Sequence, residues 1–216
     1  MTARLAERLR DETRGLHTEV ERSALMRSLL HGELSLAGYC LLLRSLHAIY
    51  VTLEAALVRH ATDVLLAPIF NPALFRSDAL ARDLDTLHGA SWPRTVAVQP
   101  AARLYEDRLR LLSGNTPAAL VAHAYVRYLG DLSGGQLLKP IVAKGLQLPS
   151  GVGTAFYDFG DADQTRDLTR AFRVGLDDID VNEALIDAIV SEARQAFELH
   201  GHLFHQLAMA SELTRD

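Results

Sequence analysis

The sequence predicts an all-α protein, and two observations carry that prediction. Apolar residues recur at the spacing of helix faces in most segments, and helix-capping residues stand before several of them. No stretch alternates polar and apolar residues over a convincing strand length. Phosphate-binding loops, dinucleotide-binding fingerprints and serine nucleophile motifs are absent from the sequence. We therefore expect a single domain of about eight helices over residues 1–216.

The composition is that of an ordinary soluble globular protein. A chain of 216 residues can form one helical domain with a substantial core. The net charge of −5 gives no electrostatic case for nucleic acid as a partner. The single cysteine, Cys40, excludes an internal disulfide and a cysteine-based metal site. We find no secretory signal, and charged residues interrupt the apolar stretches, so we expect a cytoplasmic protein with no membrane anchor.

In the N-terminal half, the apolar pattern predicts helices over residues 2–22, 24–31, 35–61 and 77–87. Ser35 and Ser77 are expected to be the N-caps of the last two. Two prolines divide residues 62–76 into a short helix and a loop. The predicted helix 35–61 is nearly apolar on all sides. It contains Tyr50, whose ordinary role would be core packing with its hydroxyl group hydrogen-bonded to a neighbour.

In the C-terminal half, the pattern predicts helices over residues 101–112, 117–146, 161–176 and 182–210. Thr116 is the expected N-cap of the second of these, with Pro117 in its first turn. Asp161 and Asn182 are the expected N-caps of the last two.

Three glycines make residues 122–138 the most unusual part of the predicted helix 117–146. Each glycine costs a helix about 1 kcal/mol relative to alanine, so the presence of Gly130, Gly134 and Gly135 in a predicted helix requires an explanation. Gly130 and Gly134 share one face, which could lie very close to a large flat ligand. A small-residue contact between packed helices, or a loop that breaks the segment, would also explain the glycines. Arg127 and Asp131 form an i, i+4 pair in the same segment.

His17 stands at the edge of the apolar face of the first helix, with Arg10 and Glu21 beyond it on the same side. Histidines at such a boundary are usually surface residues. A neutral imidazole also binds a metal or haem iron, and a carboxylate one turn later can steady its ring. Arg10 could then pair with an anionic group of the same ligand.

Two further groups of side chains are open to more than one interpretation. The predicted helix 161–176 carries a basic stripe of Arg166, Arg170 and Arg173, which is either a solvated face or a binding surface. The last helix contains three histidines, His200, His202 and His205. His200 and His202 point in nearly opposite directions. His202 and His205 share a face, but no carboxylate accompanies them, so a metal site there is poorly supported.

The segment 122–136 reads AHAYVRYLGDLSGGQ and closely resembles the signature of the biliverdin-producing haem oxygenases of the mammalian-like family. Residues 9–13, followed by His17 and Glu21, resemble the proximal helix of that family, and Tyr50 and Tyr105 also fit. The resemblance covers nearly the whole chain and implies a helical bundle with haem between a proximal helix, residues 1–22, and a kinked distal helix, residues 117–146. The absence of the C-terminal anchor of animal members fits a soluble bacterial protein.

The resemblance implies that His17 is the axial iron ligand and that Glu21 steadies it. It implies that the distal helix bends closely over the haem face at two glycines, Gly130 and Gly134. Asp131 would order the water network that delivers protons during oxygen activation, supported by a catalytic pair, Arg127 and Tyr50.

Other residues would hold the rest of the haem. Tyr125 would contact it, and Arg10 and Arg173 would bind its propionates. Thr169 stands where the family pattern has a lysine, so Arg170 is expected to substitute. His200 stands where relatives have asparagine, which leaves its role open.

The implied reaction is oxidative cleavage of haem to biliverdin, carbon monoxide and ferrous iron, with O2 and external electrons. Haem is then both substrate and cofactor, and a ferredoxin, a flavodoxin or an NAD(P)H-dependent reductase is the expected electron donor. A non-catalytic haem carrier or sensor is the alternative, and a helical protein without haem is the third hypothesis. A carrier needs no site for proton delivery, so Arg127 and Asp131 together with the glycines favour the enzyme.

Overall fold

The computed structural model describes residues 5–213, with side chains to Ser211. Ten α-helical segments occur in this range: α1 (Leu5–Glu21), α2 (Ala24–Leu30), α3 (Leu36–Arg59), α4 (Ser77–His88), α5 (Trp92–Thr95), α6 (Pro100–Asn115), α7 (Leu120–Ala124), α8 (Gly130–Gly145), α9 (Ala162–Asp177) and α10 (Glu183–Leu213). Shorter turns are 3₁₀-helical at Ala67–Ile69, Pro72–Leu74, Pro117–Ala119 and Ala155–Tyr157, and π-helical at Tyr125–Leu129. No strand occurs among the described residues, so the all-α prediction is confirmed. The predicted helix start at residues 2–4 lies outside the described range.

Three of the expected helix caps are confirmed. The Ser35 hydroxyl accepts the backbone N–H of Gly38 at 3.1 Å. Asp161 and Gln164 form a reciprocal capping box at the start of α9. The side chain of Asn182 accepts the backbone N–H of Leu185 at 2.9 Å, in the first turn of α10. Each cap satisfies a donor that the helix itself leaves unpaired.

The Ser77 cap prediction is wrong, because a distant carboxylate takes the place of a local cap. Ser77 is the first helical residue of α4. Glu54, on α3, accepts the backbone N–H groups of Arg76 at 2.5 Å and Ser77 at 3.2 Å, and also the Ser77 hydroxyl. An anion at a helix N-terminus is favoured by the helix dipole as well. Thr116 likewise makes no side-chain cap bond, since Pro117 starts a 3₁₀ turn before α7.

Helix α3 lies at the centre of the fold. Its fully buried side chains include Tyr39, Leu43, Ile49, Tyr50 and Leu53. The helix is long and apolar enough to cross a membrane, but 61% of its apolar window is buried inside the protein. Burial on that scale is that of a helix in the core of the fold. One continuous apolar cluster extends from α1 to α10 through it.

A buried polar network joins α7 to α10 and α6. His123 on α7 is fully buried, and its Nε2 lies 2.9 Å from Glu192 on α10. Its Nδ1 lies 3.1 Å from the Tyr105 hydroxyl on α6. Arg108 donates to the same glutamate, with Nε at 3.0 Å. These bonds anchor α7 just before residues of the π turn and α8 that line an apolar cleft.

Candidate active site

A cleft opens between α1, α8 and α10. Its volume is about 1030 Å³ including the part open to solvent. The walls are largely apolar. Polar side chains in the lining include His17 and Glu21 from α1, Arg127 from the π turn, Asp131 and Ser133 from α8, and His200 from α10. The structure therefore brings two predicted residues that are far apart in the sequence, His17 and Asp131, to one cavity.

His17 presents an accessible imidazole to this cleft. Its side chain is 48% exposed, and the ring packs edge-on against Phe197 of α10 with centroids 5.9 Å apart. Nδ1 lies 3.5 Å from the Glu21 carboxylate one turn later, as the spacing predicts. A carboxylate at one ring nitrogen favours the tautomer that leaves Nε2 free to bind a metal.

The three glycines divide into two kinds. A Cβ on Gly130 would have no neighbour within 4 Å, and one on Gly134 would meet only Leu138 at 3.7 Å, because both face the open cleft. A Cβ on Gly135 would instead lie 3.0 Å from the backbone carbonyl oxygen of Tyr157. The close-ligand interpretation therefore fits the first two glycines, and the packing interpretation fits the third.

The predicted distal helix 117–146 is interrupted by a change of helix type. The π-helical turn Tyr125–Leu129 separates α7 from α8, immediately before Gly130. A π turn inserts extra residues into the helical repeat and is frequent at functional sites. The irregularity that the glycines suggested is therefore present, but it begins on their N-terminal side.

Arg127, Asp131 and Tyr50 form a buried cluster at the inner end of the cleft. Arg127 donates from Nε to the Tyr50 hydroxyl at 3.1 Å and from Nη2 to Asp131 at 3.4 Å. The Tyr50 hydroxyl also donates to the other oxygen of Asp131. The Arg127 and Asp131 side chains are only 4% and 11% exposed, so this i, i+4 pair is a buried ion pair and not a surface one.

The surroundings of this cluster determine its protonation. Burial raises the pKa of the Asp131 carboxyl, while Arg127 and the Tyr50 hydrogen bond lower it in part. Burial alone would lower the pKa of Arg127, but the neighbouring oxygens of Tyr50 and Asp131 outweigh burial and raise it. The site therefore holds a fixed cation beside a carboxyl group that takes up a proton more readily than an exposed aspartate.

A second, smaller cavity of about 660 Å³ adjoins the cleft and includes His17 and Gly130. Arg10 and Arg14 of α1 reach it together with Arg173 of α9 and Tyr125. The Thr13 and Tyr125 hydroxyl oxygens are 3.5 Å apart on its wall. These three arginines make this mouth of the cleft suitable for carboxylate groups of a ligand.

Arg170 is not among the residues that line either cavity. Its side chain is 73% exposed and lies 3.3 Å from Asp167 on its own helix. Arg166 pairs with Asp163 in the same way. Of the predicted basic stripe on α9, only Arg173 therefore reaches the site.

Several side chains of the site were given no role by the sequence prediction. Arg14 follows Arg10 by one turn, and that spacing could have revealed it. Phe197 and Phe204 approach the cleft from α10, where no local pattern distinguishes them from core residues. His200 is half-buried, and its Nδ1 lies 2.6 Å from Nη1 of Arg127. The other two histidines of α10, His202 and His205, are exposed, and no cluster of three or more metal-ligating side chains occurs in the described part of the chain.

The fold and the site define a class of protein: an all-α protein with a largely apolar cleft that contains one accessible histidine, a buried arginine–aspartate pair and three arginines at its mouth. Comparison with known proteins identifies the class more closely. The family model described as "Heme oxygenase" matches residues 3–206. "Heme oxygenase 2" of Synechocystis sp. is 40% identical over 209 residues, covering 94% of this chain and 82% of that protein. Human "Heme oxygenase 1" is 37% identical over 205 residues, covering 94% of this chain and 71% of that protein.

Solved structures agree with these sequence relatives. The crystal structure of heme oxygenase-2 from Synechocystis sp. in complex with heme and NO has a TM-score of 0.94 at 38% identity, covering 99% of this chain and 88% of that one. Heme oxygenase from Leptospira interrogans has a TM-score of 0.90 at 36% identity, covering 94% of this chain and 99% of that one. The chain belongs to the haem oxygenase family, whose members cleave haem to biliverdin, carbon monoxide and ferrous iron with O2 and external electrons. Haem is both substrate and cofactor of this reaction.

Proposed function

We propose that haem binds in the cleft between α1 and α8, with His17 as its axial iron ligand and Glu21 steadying the imidazole. The observation that carries this proposal is that His17, Gly130 and Gly134 all open onto one cavity. Neither glycine has a close neighbour on the cleft side, so the backbone of α8 offers a flat surface of the kind that a porphyrin face requires. The whole chain, residues 1–216, acts in this proposal as one domain, supported by its continuous apolar core.

The side chains around the cleft match the chemistry of the corresponding parts of haem. The apolar walls from α2, α3 and α10 suit the hydrocarbon body of the ring. Arg10 and Arg173 bind the propionates at the mouth, Arg14 adds a third cation there, and Tyr125 packs beside the ring. Arg170 can take part only by leaving Asp167, so its role stays a prediction from the resemblance.

Bound haem supplies both the iron at which oxygen is reduced and the ring that is cleaved. The protein contributes position and protons. Asp131 holds and releases protons through ordered water, and burial raises the pKa of its carboxyl group above that of an exposed aspartate. Arg127 and Tyr50 orient its carboxyl group from two sides. Gly130 and Gly134, which carry no side chain on the cleft side of α8, would let its backbone approach the ring closely.

The reaction needs electrons from outside the protein, and we propose a cytoplasmic ferredoxin, flavodoxin or NAD(P)H-dependent reductase as the donor. The support is electrostatic. Two of the three arginines at the mouth of the cleft are assigned to the propionates, so Arg14 is the cation there that would favour an acidic partner.

Haemin titration followed by reduction tests the proposal. We expect a saturable Soret band at one haem per protein, then its loss in air with a reduced donor as biliverdin absorbance grows. A stable Soret band would instead indicate the carrier, and no binding would exclude both. His17→Ala is expected to lose the neutral-imidazole spectrum and to regain it with added imidazole. His202→Ala, at an exposed histidine, is the matched control, and an unchanged spectrum in His17→Ala would overturn the assignment of the ligand.

A further inference from the structure

A second cleft lies on the side of α3 that faces away from the proposed haem cleft. Leu42 and Leu46 of α3 line the haem cleft, whereas Arg44 and Ala48 line the other one. Successive residues of an α-helix are about 100° apart, so these two pairs point in nearly opposite directions. The second cleft, between α3 and α6, has a volume of about 920 Å³ including the part open to solvent. We call it the α3–α6 cleft, and among the described residues it shares none of its lining with the two cavities of the candidate active site.

The α3–α6 cleft has an excess of cationic side chains. Its titratable side chains are Arg44 and His47 from α3, and Arg103, Glu106, Asp107 and Arg110 from α6. Arg110 takes up both carboxylates, with Nη2 2.7 Å from Glu106 and Nη1 2.9 Å from Asp107. Arg44 and Arg103 form no ion pair within the described part of the chain. The cleft is therefore left with two unpaired cations, although the whole chain has a net charge of −5.

Arg44 is held at this cleft without a counter-ion of its own. Its guanidinium carbon lies 5.1 Å from the ring centroid of Trp92, which is a cation–π contact. Its Nε is shielded from solvent and has no hydrogen-bond partner among the described residues. Burial lowers the pKa of Arg44, the charge of Arg103 lowers it further, and Glu106 offsets only part of this. A partly desolvated cation that the protein leaves unbalanced is costly, and a bound anion would offset that cost.

Trp92 holds a second basic group beside Arg44. The His47 ring packs edge-on against the same indole, with centroids 4.9 Å apart. The indole is itself fixed, because its Nε1–H donates to Asp85 at 2.8 Å. His47 Nδ1 is buried and, like Nε of Arg44, has no partner in the described structure. Two neighbouring basic side chains therefore have hydrogen-bonding capacity that the protein itself does not use.

We propose that the α3–α6 cleft is a binding site for a phosphate group, with Arg44 and Arg103 as the side chains that donate to its oxygens. Guanidinium groups present planar forks of N–H donors that match phosphate oxygens and carry the opposite charge. Val51 and Val98 add an apolar wall, which suits the organic part of a phosphate ester. A solvated face that carries arginines is the alternative, and it does not explain the buried nitrogens without partners. The inference is independent of the proposed function, since haem takes no part in it.

The only tryptophan of the chain, Trp92, makes this cleft observable by fluorescence. The haem-free protein is titrated with inorganic phosphate, with butyl phosphate and with sodium chloride at equal ionic strength. We expect a saturable change in Trp92 emission with either phosphate and little change with chloride. Tighter binding of butyl phosphate would support an ester as the ligand, and equal affinities would support the free anion. A change that followed ionic strength alone would overturn the proposal.

Substitutions test whether the two arginines hold the phosphate group. Arg44→Gln is expected to weaken binding about tenfold or more, since it removes a charge-assisted hydrogen bond. Arg44 also packs on Trp92, so Arg103→Gln is the second test. Arg103 is exposed, so its removal leaves that packing in place and should weaken binding by a similar factor.

Arg94→Gln is the matched control for these two variants. It removes the same charge from an exposed position two residues after Trp92, outside the lining of the cleft. We expect its affinity for both phosphates to equal that of the unsubstituted protein. Unchanged affinity in Arg103→Gln, or an equal loss in Arg94→Gln, would overturn the proposal.

A phosphate ion at the mouth of the proposed haem cleft can be distinguished from one in the α3–α6 cleft. Arg10, Arg14 and Arg173 line that mouth, and Trp92 is not among its lining residues. Arg14→Gln should therefore leave the titration of Trp92 emission as it is. Loss of the response in Arg14→Gln would assign the phosphate to the haem cleft and overturn the proposal. If the protein bound no haem, the haem proposal would fail, while the phosphate titration would still decide the nature of the α3–α6 cleft.

Discussion

The hydroxyl group of Tyr50 on α3 donates a hydrogen bond to the carboxylate of Asp131 on α8. Both groups are buried, and Arg127 donates to each of them. Tyr50 therefore connects the core helix of the fold to the proposed proton-delivery residue. A side chain whose ordinary role would be core packing thus reaches into the site.

Asp131→Asn should separate haem binding from haem cleavage. The amide keeps the size of the carboxyl group but cannot release a proton, so we expect a normal Soret band and a loss of biliverdin formation of about 100-fold or more. Haem titration and single-turnover spectroscopy measure the two effects. A normal biliverdin yield from this variant would contradict the role of Asp131.

Gly134→Ala should have opposite effects on the free protein and on haem binding. Its Cβ enters open space in the cleft, so helix propensity should stabilise the free protein by up to about 1 kcal/mol. The same methyl group would occupy the surface proposed to meet the porphyrin, so haem affinity should fall. Thermal unfolding and haem titration measure the two effects.

Gly114→Ala provides the matched control for this pair of measurements. Gly114 lies in α6, where a Cβ also has no neighbour within 4 Å, and it is absent from the residues that line the cleft. We expect a similar gain in stability with unchanged haem affinity. Equal haem affinity in both glycine variants would contradict the close approach of α8 to the ring.

Glu192→Gln should destabilise the protein in a pH-dependent way. Burial alone would raise the pKa of Glu192, but its bonds to His123 and Arg108 outweigh burial and lower that pKa to about 2 from the ordinary 4.5. As pH falls, the unfolded chain binds the proton first, so this contribution is complete above pH 4.5 and is lost as pH falls towards 2. We expect a loss of up to about 3 kcal/mol at pH 7, shrinking over that window.

Urea denaturation at several pH values measures this effect. Glu198→Gln, at an exposed position on the same helix, is the control and should change stability little. A difference between Glu192→Gln and the unsubstituted protein that did not change between pH 7 and pH 3 would show that the charge of Glu192 is not what stabilises the network.

Arg173→Ala should change which meso carbon of haem is cleaved. If Arg173 binds a propionate at the mouth of the cleft, its loss allows haem to rotate in the pocket, and the mixture of biliverdin isomers should change. Arg170→Ala removes the exposed arginine one turn earlier and should leave the mixture as it was. Chromatography of the isomers distinguishes the two outcomes, and a change only in Arg170→Ala would favour the role that the resemblance implies for Arg170.

Much of this protein follows from local sequence. The boundaries of α1, α3, α9 and α10 were predictable within a few residues, because apolar spacing and the caps at Ser35, Asp161 and Asn182 are encoded by neighbouring residues. The family resemblance of residues 122–136 identified the reaction. The pairing of His17 with Glu21, one turn apart, was likewise predictable from helix geometry.

Tertiary structure decided the relationships between distant residues. Only packing shows that Glu54 caps α4 in place of Ser77, that Gly135 meets the Tyr157 carbonyl while Gly134 faces the cleft, and that Arg127 contacts His200. The π turn also depends on packing, since helical spacing alone cannot locate an extra residue in the repeat. The physical reason is that periodicity and capping act over one or two turns of the chain. Which buried donor finds which distant acceptor is determined only when the helices are packed together.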